Sequence, residues 1–193
     1  MLEYLLRELT CGDDQRAEEA AREFPNLPPE LRQSALERLR QLLACGDVDT
    51  RWWSTRAAAT LSDPQATRLL VEALQDEQAS VRQCAALGCC QQCSEEALGA
   101  LMAALSDNDQ LVVALAAGAL AEIGKPAVTG LLEVLASGNP RARLEAAKAL
   151  VKIGHERAVP AFLKELEGDS ALMAYWAEEG LERMGVGMVF YYP

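Results

Sequence analysis

Residues 105–124 read LSDNDQLVVALAAGALAEIG, and residues 135–154 repeat that pattern as LASGNPRARLEAAKALVKIG. The leucine that opens both stretches recurs along the chain at Leu43, Leu74, Leu105, Leu135 and Leu166. Successive anchor leucines are separated by 31, 31, 30 and 31 residues. A constant period of this length is typical of repeat proteins, in which each repeat is one small structural unit.

Positions counted from the anchor leucine keep their character from repeat to repeat. Eleven residues after it the side chain is always small, at Ser54, Ala85, Ala116, Ala146 and Ala177. Fifteen residues after it stand Ala58, Cys89, Leu120, Leu150 and Leu181. Both positions belong to one face of a helix, so they predict a buried stripe. Nineteen residues after it, where a glycine would end that helix, stand Ser62, Cys93, Gly124, Gly154 and Gly185.

A shorter helix precedes each anchor and begins at Asp63-Pro64, Ser94-Glu95, Lys125-Pro126 and His155-Glu156. Each repeat is therefore predicted to be a helical hairpin, and a further copy at the N-terminus fits with Leu9 as its anchor. We predict one repeat domain over residues 1–185 and no second domain. The repeats are expected at roughly 1–26, 27–62, 63–93, 94–124, 125–154 and 155–185. Residues 186–193 form an apolar tail that either covers the last hairpin or docks another chain.

The charge balance limits the partners that we expect. The chain carries 29 acidic and 18 basic residues, a formal net charge of -11 and a pI near 4.6. Such a chain repels polyanions, so nucleic acid and membrane surfaces are poor candidate partners. The sequence contains no apolar stretch of the roughly 18 residues that a membrane span needs, and its start does not resemble a signal peptide. We expect a cytoplasmic protein.

The stretches LQDEQASVRQCAALGCC, LSDNDQLVVALAAGALAEIG and LASGNPRARLEAAKALVKIG resemble the HEAT-repeat superfamily, and the period with the AL..IG ending resembles its phycobilin-lyase-like branch. The resemblance implies an all-α fold, a right-handed α-α superhelix (solenoid) of about six HEAT-like hairpins. It also implies a ladder between repeats, formed by an aspartate in the inter-helix turn and an arginine about six residues later. Asp76 and Arg82 fit that pattern, whereas Arg51 and Arg143 have Cys45 and Ser137 at the aspartate position.

Enzymatic relatives implied by the resemblance can be compared residue by residue. Deoxyhypusine hydroxylase holds two irons with several His-Glu pairs, and this chain has a single histidine, His155. HEAT-like alkylpurine glycosylases use a basic face, whereas this chain is acidic. The resemblance leaves the bilin lyases, so a subunit of a bilin lyase or another protein-modifying enzyme is the alternative function.

Two further features suggest chemistry and have a simpler structural interpretation. Four cysteines crowd one helix and its end at Cys84, Cys89, Cys90 and Cys93. They are either small core-filling thiols, with Cys93 at the capping position, or a metal or redox site. His155, at a helix start, is interpreted as a cap or surface residue because no nucleophile or second histidine accompanies it. We expect no catalytic residue, no cofactor and no metal.

Aromatic pairs mark the candidate binding positions. Trp52 and Tyr175 both lie nine residues after their anchors, and Trp53 and Trp176 lie ten after theirs. The rings either pack between repeats or line an apolar concave groove. The candidate partner-binding residues are Trp52, Trp53, Gln83, Leu87, Leu115, Leu144, Tyr175, Trp176 and Glu179, with Glu145 and Glu179 on an acidic rim. The predicted function is a non-catalytic scaffold that binds a protein or peptide partner of basic or apolar character.

Overall fold

The chain folds entirely into helices and turns over residues 1–186, the part that the computed structural model describes. Within that range twelve α-helices and no strand are present. The helices are α1 (Leu2–Leu9), α2 (Asp14–Glu23), α3 (Pro29–Cys45), α4 (Val48–Ala59), α5 (Pro64–Ala73), α6 (Ala79–Gln92), α7 (Leu98–Ala104), α8 (Gln110–Ile123), α9 (Val128–Ser137), α10 (Pro140–Ile153), α11 (Val159–Leu166) and α12 (Ala171–Arg183). The predicted all-α fold of about six helical hairpins is confirmed. The apolar tail predicted at 186–193 lies, beyond Val186, outside the described residues.

Short polar side chains begin many of these helices. A side-chain oxygen of the residue before the helix accepts a hydrogen bond from a backbone N–H of the first turn at Asp13, Asp47, Asp63, Asp109, Asn139 and Ser170. These caps satisfy donors that have no partner inside the helix. In the last three repeats a 3₁₀ turn precedes the first helix, at Glu95–Ala97, Lys125–Ala127 and Glu156–Ala158.

The ends of the second helices follow the predicted capping position. Gly124, Gly154 and Gly185 have φ angles of 79°, 65° and 75°, a conformation in which a side chain costs energy. Cys93 replaces glycine at that position and still adopts a φ of 49°. Ser62, at the same repeat position, does not cap its helix. Helix α4 already ends at Ala59, and the next residue, Thr60, has a right-handed φ of -78°.

The chain divides into two compact units, residues 1–100 and residues 101 onward, with the boundary inside α7. In the first unit the second helices of successive hairpins pack side by side, α2 on α4 and α4 on α6. Small residues allow this approach. The position of a Cβ added to Gly88 on α6 lies 2.8 Å from the methyl group of Ala59.

The second unit repeats this arrangement with α8 on α10 and α10 on α12. Within its last hairpin α11 packs on α12, and Phe162 is completely buried there. A Cβ added to Gly180 on α12 would lie 2.5 Å from the Phe162 ring. Glycine at this position therefore makes room for the buried Phe162 ring. The predicted single domain over 1–185 stays a prediction.

Ion pairs join neighbouring hairpins, as in a ladder between repeats. The carboxylate of Asp76 accepts from Arg51 of the preceding hairpin, at 2.7 and 3.0 Å, whereas Arg82 donates to the backbone carbonyl of Asp76 at 2.8 Å. Arg143 likewise reaches forward, to both oxygens of Glu165 at 2.9 Å. Arg51 and Arg143 lack an aspartate six residues before them, yet each has an acidic partner in the next hairpin.

No helix among residues 1–186 is long and apolar enough to cross a membrane. The longest, α3, has 17 residues and carries charged side chains along its length, including Glu30, Arg32 and Arg38.

Candidate binding surfaces

The first aromatic pair lies on α4 in the first unit. The rings of Trp52 and Trp53 meet edge to face, with their centroids 4.6 Å apart and an angle of 85° between their planes. Both side chains are half-buried. A tryptophan that served only as core would be covered, so both of these side chains remain partly accessible.

A cleft of about 400 Å³ opens beside this pair. Its walls come from α2, α4 and α6, and its lining residues are Asp14, Val48, Asp49, Trp52, Trp53 and Ser80. The volume lies in the range of small-ligand and side-chain pockets. Two tryptophan rings and two carboxylates therefore share one small concave surface.

The carboxylates of the cleft are distinct from the caps of their helices. Asp13 and Asp47 accept from the backbone N–H groups of Arg16 and Thr50, at 2.9 and 2.8 Å. The hydrogen bonds from Thr50 lower the pKa of Asp47 below its usual range. Asp14 and Asp49, which follow these caps in the first turns of α2 and α4, line the cleft.

Basic residues on the same helix are engaged elsewhere. Arg51 is held by Asp76, and only 13% of its side chain is exposed. Arg56 donates to both oxygens of Glu18 on α2, at 3.1 and 2.8 Å. Burial would raise the pKa of Glu18, but hydrogen bonds from Arg56 and Arg22 lower it, so the acid is ionised. These pairs leave the negative charge of the cleft without a cation from α4.

Two other predicted residues of this unit lie on α6. Leu87 is exposed over 47% of its surface, and Gln83 is half-buried. Neither lines the cleft. The sequence missed four of the six lining residues, Asp14, Val48, Asp49 and Ser80, because they lie at helix starts rather than on the repeated stripe.

The second aromatic pair lies on α12 in the second unit. The rings of Tyr175 and Trp176 also meet edge to face, 5.3 Å apart and at 80°. Tyr175 is 56% exposed, and Trp176 is half-buried. The Lys148 ammonium on α10 lies 5.8 Å from the centroid of the Trp176 ring and 2.7 Å from Oε1 of Glu145. This pair therefore already holds a cation, supplied by the chain itself.

The two acidic residues expected on the rim, Glu145 and Glu179, are paired with basic side chains in this unit. The side chain of Glu145 is only 12% exposed and pairs with Lys148. Glu179 accepts from Arg183 at 3.0 Å. Leu115 and Leu144 are half-buried. Both acids are thus largely neutralised by neighbours, and Tyr175 and Leu172 are exposed apolar side chains on α12.

The cysteine cluster divides into core and surface members. Cys84 and Cys89 are buried, and burial raises the pKa of each thiol to about 12. Cys90 is half-buried, and Cys93 is exposed at the helix end. Across residues 1–186 no group of three or more histidine, cysteine or acidic residues is placed to hold a metal ion. Cys84 and Cys89 are therefore core-filling thiols as predicted, whereas Cys93 belongs to the surface.

His155 is a helix cap, as predicted. Its Nδ1 accepts a hydrogen bond from the backbone N–H of Arg157 at 3.2 Å, at the start of the 3₁₀ turn Glu156–Ala158. The ring is occupied by this structural role.

Comparison with known protein families decides the classification. The family model described as HEAT repeats matches residues 33–121, 69–138 and 100–182, which together span more than half of the chain. The chain belongs to the HEAT-repeat family. No protein of curated function matches this HEAT-repeat chain significantly.

Solved structures share the fold at low sequence identity. YibA of Escherichia coli matches with a TM-score of 0.61 and 19% identity, over 93% of this chain and 69% of that one. The complex of CpcE and CpcF of phycocyanin lyase from a Nostoc species matches with a TM-score of 0.56 and 20% identity, over 96% and 77%. A designed armadillo repeat protein in complex with the peptide (KR)4 matches with a TM-score of 0.55 and 19% identity, over 95% and 99%. At these identities the likeness concerns the fold.

Proposed function

We propose that this HEAT-repeat protein is a non-catalytic scaffold that binds a protein or peptide partner through the surfaces around its two aromatic pairs. The observation that carries the proposal is the partial exposure of both pairs at equivalent repeat positions. Tryptophan and tyrosine dominate the energetics of protein interfaces when they are accessible. Trp52, Trp53, Tyr175 and Trp176 are the proposed anchors, and Gln83, Leu87, Leu115, Leu144 and Glu179 are proposed to contribute contacts around them.

The charge of the chain favours a partner with basic character. With a net charge of -11 the protein attracts cations and repels nucleic acid, which raises the rate of encounter with a basic segment. Solved repeat proteins of similar fold include one bound to the basic peptide (KR)4. That complex supports the same mode of use for this fold.

The proposal is tested by measuring binding and stability on one variant. Trp52→Ala should weaken capture of the native partner from a lysate by about 1 to 3 kcal/mol, as expected for an interface anchor. Tyr4→Ala is the matched control, because Tyr4 is also an exposed aromatic residue of the first unit and lies away from the cleft. The control should leave capture unchanged.

A core role for Trp52 gives the opposite result. If the ring mainly holds the repeats together, Trp52→Ala should lower the free energy of unfolding by about 3 to 5 kcal/mol and leave capture unchanged once the fold is restored by cooling. Such a result would overturn the assignment of this surface as the binding site.

The alternative function, a bilin lyase subunit, rests on resemblance and on the shared fold with CpcE and CpcF. A direct assay distinguishes the lyase function from the scaffold function. A lyase subunit would promote attachment of a bilin to a phycobiliprotein when its companion subunit is supplied, whereas a scaffold would bind its partner without any covalent product.

A further inference from the structure

The two aromatic pairs can be compared within this one chain. Trp53 and Trp176 lie at the same position of their repeats, and each meets a neighbouring ring edge to face. In the second unit Lys148 places its ammonium over Trp176 and against Glu145. An aromatic face and a carboxylate thus hold one cation between them there.

The first unit has an aromatic pair with acidic residues beside it, at other repeat positions than Glu145, and, within residues 1–186, no cation on the rings. Among the described residues no basic side chain lies over the ring of Trp52 or Trp53. The cleft beside the rings is lined by two carboxylates, Asp14 and Asp49, and no basic residue is among its lining residues. The aromatic and acidic partners of a cation are present, and the space of about 400 Å³ is open.

The charge of the cleft remains negative after the helix ends are considered. The N-termini of α2 and α4 each contribute roughly half a positive charge near the cleft. Asp13 and Asp47 accept hydrogen bonds from those ends and offset that charge. The carboxylates of Asp14 and Asp49 therefore add negative charge beyond what the helix ends neutralise.

We propose that this cleft binds a lysine or arginine side chain from a basic segment of the partner, which would contact an aromatic ring and a carboxylate as Lys148 does at the second aromatic pair. The proposal rests on the proposed scaffold function and names the class of partner. A neutral apolar side chain would gain from the tryptophan faces but would leave the two carboxylates without a counter-charge. A cationic side chain interacts favourably with both the tryptophan rings and the carboxylates.

The test uses two synthetic peptides and the whole 193-residue chain. The probe is an end-blocked octapeptide of alternating lysine and arginine, and its neutral analogue replaces lysine by norleucine and arginine by citrulline. Tryptophan fluorescence and calorimetry report binding, since the chain has three tryptophans and two of them line the cleft. The basic peptide should bind with a Kd at least about fivefold lower than the neutral analogue, from cation–π and ion-pair contributions.

Charge-matched variants separate the cleft from general acidity. Asp14→Asn with Asp49→Asn should raise the Kd of the basic peptide about fivefold. The control, Glu30→Gln with Glu95→Gln, removes the same charge from helical first turns of the same unit outside the cleft and should change the Kd by less than about twofold. Since all four positions are exposed, both variants are expected to fold.

Equal affinity for the two peptides, or an equal loss of affinity in the two double variants, would overturn the proposal that a cationic side chain occupies the cleft. Failure of this inference is distinguishable from failure of the scaffold function. If Trp52→Ala still weakens capture of the native partner while the basic peptide does not bind, the scaffold stands and the side-chain assignment is wrong. If the peptide binds as described but Trp52→Ala leaves capture unchanged, the cleft binds cationic side chains, but the native partner does not use it and the proposed scaffold surface is wrong.

Discussion

The guanidinium of Arg51 on α4 meets the carboxylate of Asp76, in the turn before α6, through two hydrogen bonds of 2.7 and 3.0 Å. The two side chains are 13% and 9% exposed, so the pair is largely removed from water. The Asp76 carboxylate also accepts from the backbone N–H of Gln78 at 2.8 Å. One acid therefore joins two hairpins and shapes the turn between two helices.

Asp76→Asn should lower the free energy of unfolding by about 1.5 to 3 kcal/mol, because it weakens hydrogen bonds to a charged group and leaves Arg51 without its counter-charge. The control is Glu72→Gln, which disrupts the exposed bidentate pair with Arg40 in the same unit. It should cost less than about 1 kcal/mol. Urea denaturation of both variants measures the difference, and equal losses would contradict the role of burial.

The same pair predicts a pH dependence. Burial would raise the pKa of Asp76, but the hydrogen bonds from Arg51 and Gln78 outweigh it and lower that pKa below its usual range. A carboxyl with a depressed pKa in the folded state stabilises the fold above its unfolded pKa, and this contribution is lost as the pH falls. Stability should therefore decline below about pH 4. The decline should be smaller in Asp76→Asn than in the wild type.

Gly180→Ala should destabilise the second unit by about 1 to 3 kcal/mol, because the added methyl group would lie 2.5 Å from the Phe162 ring. Gly118→Ala is the matched control on α8, where no atom lies within 4 Å of the added carbon. It should be neutral or stabilise by up to about 1 kcal/mol, since alanine favours a helix over glycine. Thermal unfolding of both variants decides the point. Similar melting temperatures would mean that the Phe162 ring moves aside.

Thiol labelling should separate the cysteines by burial. Cys11 and Cys93 are exposed and should react with iodoacetamide within the native protein, whereas Cys84 and Cys89 should react only after unfolding. Burial raises the pKa of both buried thiols to about 12, so they carry almost no thiolate at neutral pH. Mass spectrometry of native and unfolded protein measures this order.

Because the pKa values of Cys84 and Cys89 are raised in the folded state, the free energy of unfolding should fall as the pH rises above about 8.5.

A chain that ends at Gly154 should keep the helix content of its remaining hairpins, because contacts in a repeat protein are mostly between neighbours. It lacks α11 and α12, so α10 loses its packing against α12 and the unfolding temperature should drop. A chain that ends at Ala146, inside α10, should lose more helix than the eight further residues account for. Circular dichroism compares the two. Complete unfolding of the first chain would contradict the repeat interpretation.

The helices were predictable because their signals are local and repeat. The anchor leucine, the small residue eleven positions later and the capping glycine recur, so even Cys93 could be assigned a helix end in a left-handed conformation. The ion pairs were predictable only in part. The sequence offers Arg51 several acids, and the choice of Asp76 depends on how one hairpin is stacked on the next.

The cleft could not be predicted, because its walls come from three helices. Trp52 and Trp53 stand out by their register, but Asp14 and Ser80 are single polar residues at the starts of α2 and α6. Nothing in their spacing relates them to the tryptophans. Conversely, Glu145 was expected on an accessible rim, and Lys148 on the next turn of the same helix neutralises it.

The acidic residues that pair with Arg51 and Arg143 also fix the order of the hairpins. Asp76 lies two residues after its anchor leucine, whereas Glu165 lies one residue before its own. If the fifth hairpin were placed directly after the second, Arg51 would face Ser137 and Val134 at these two positions, and neither is an acid. Hairpins with the same backbone therefore cannot be exchanged freely. In a rearranged repeat protein, each arginine would keep its ion pair only if the hairpin after it carried the acidic residue at the matching position.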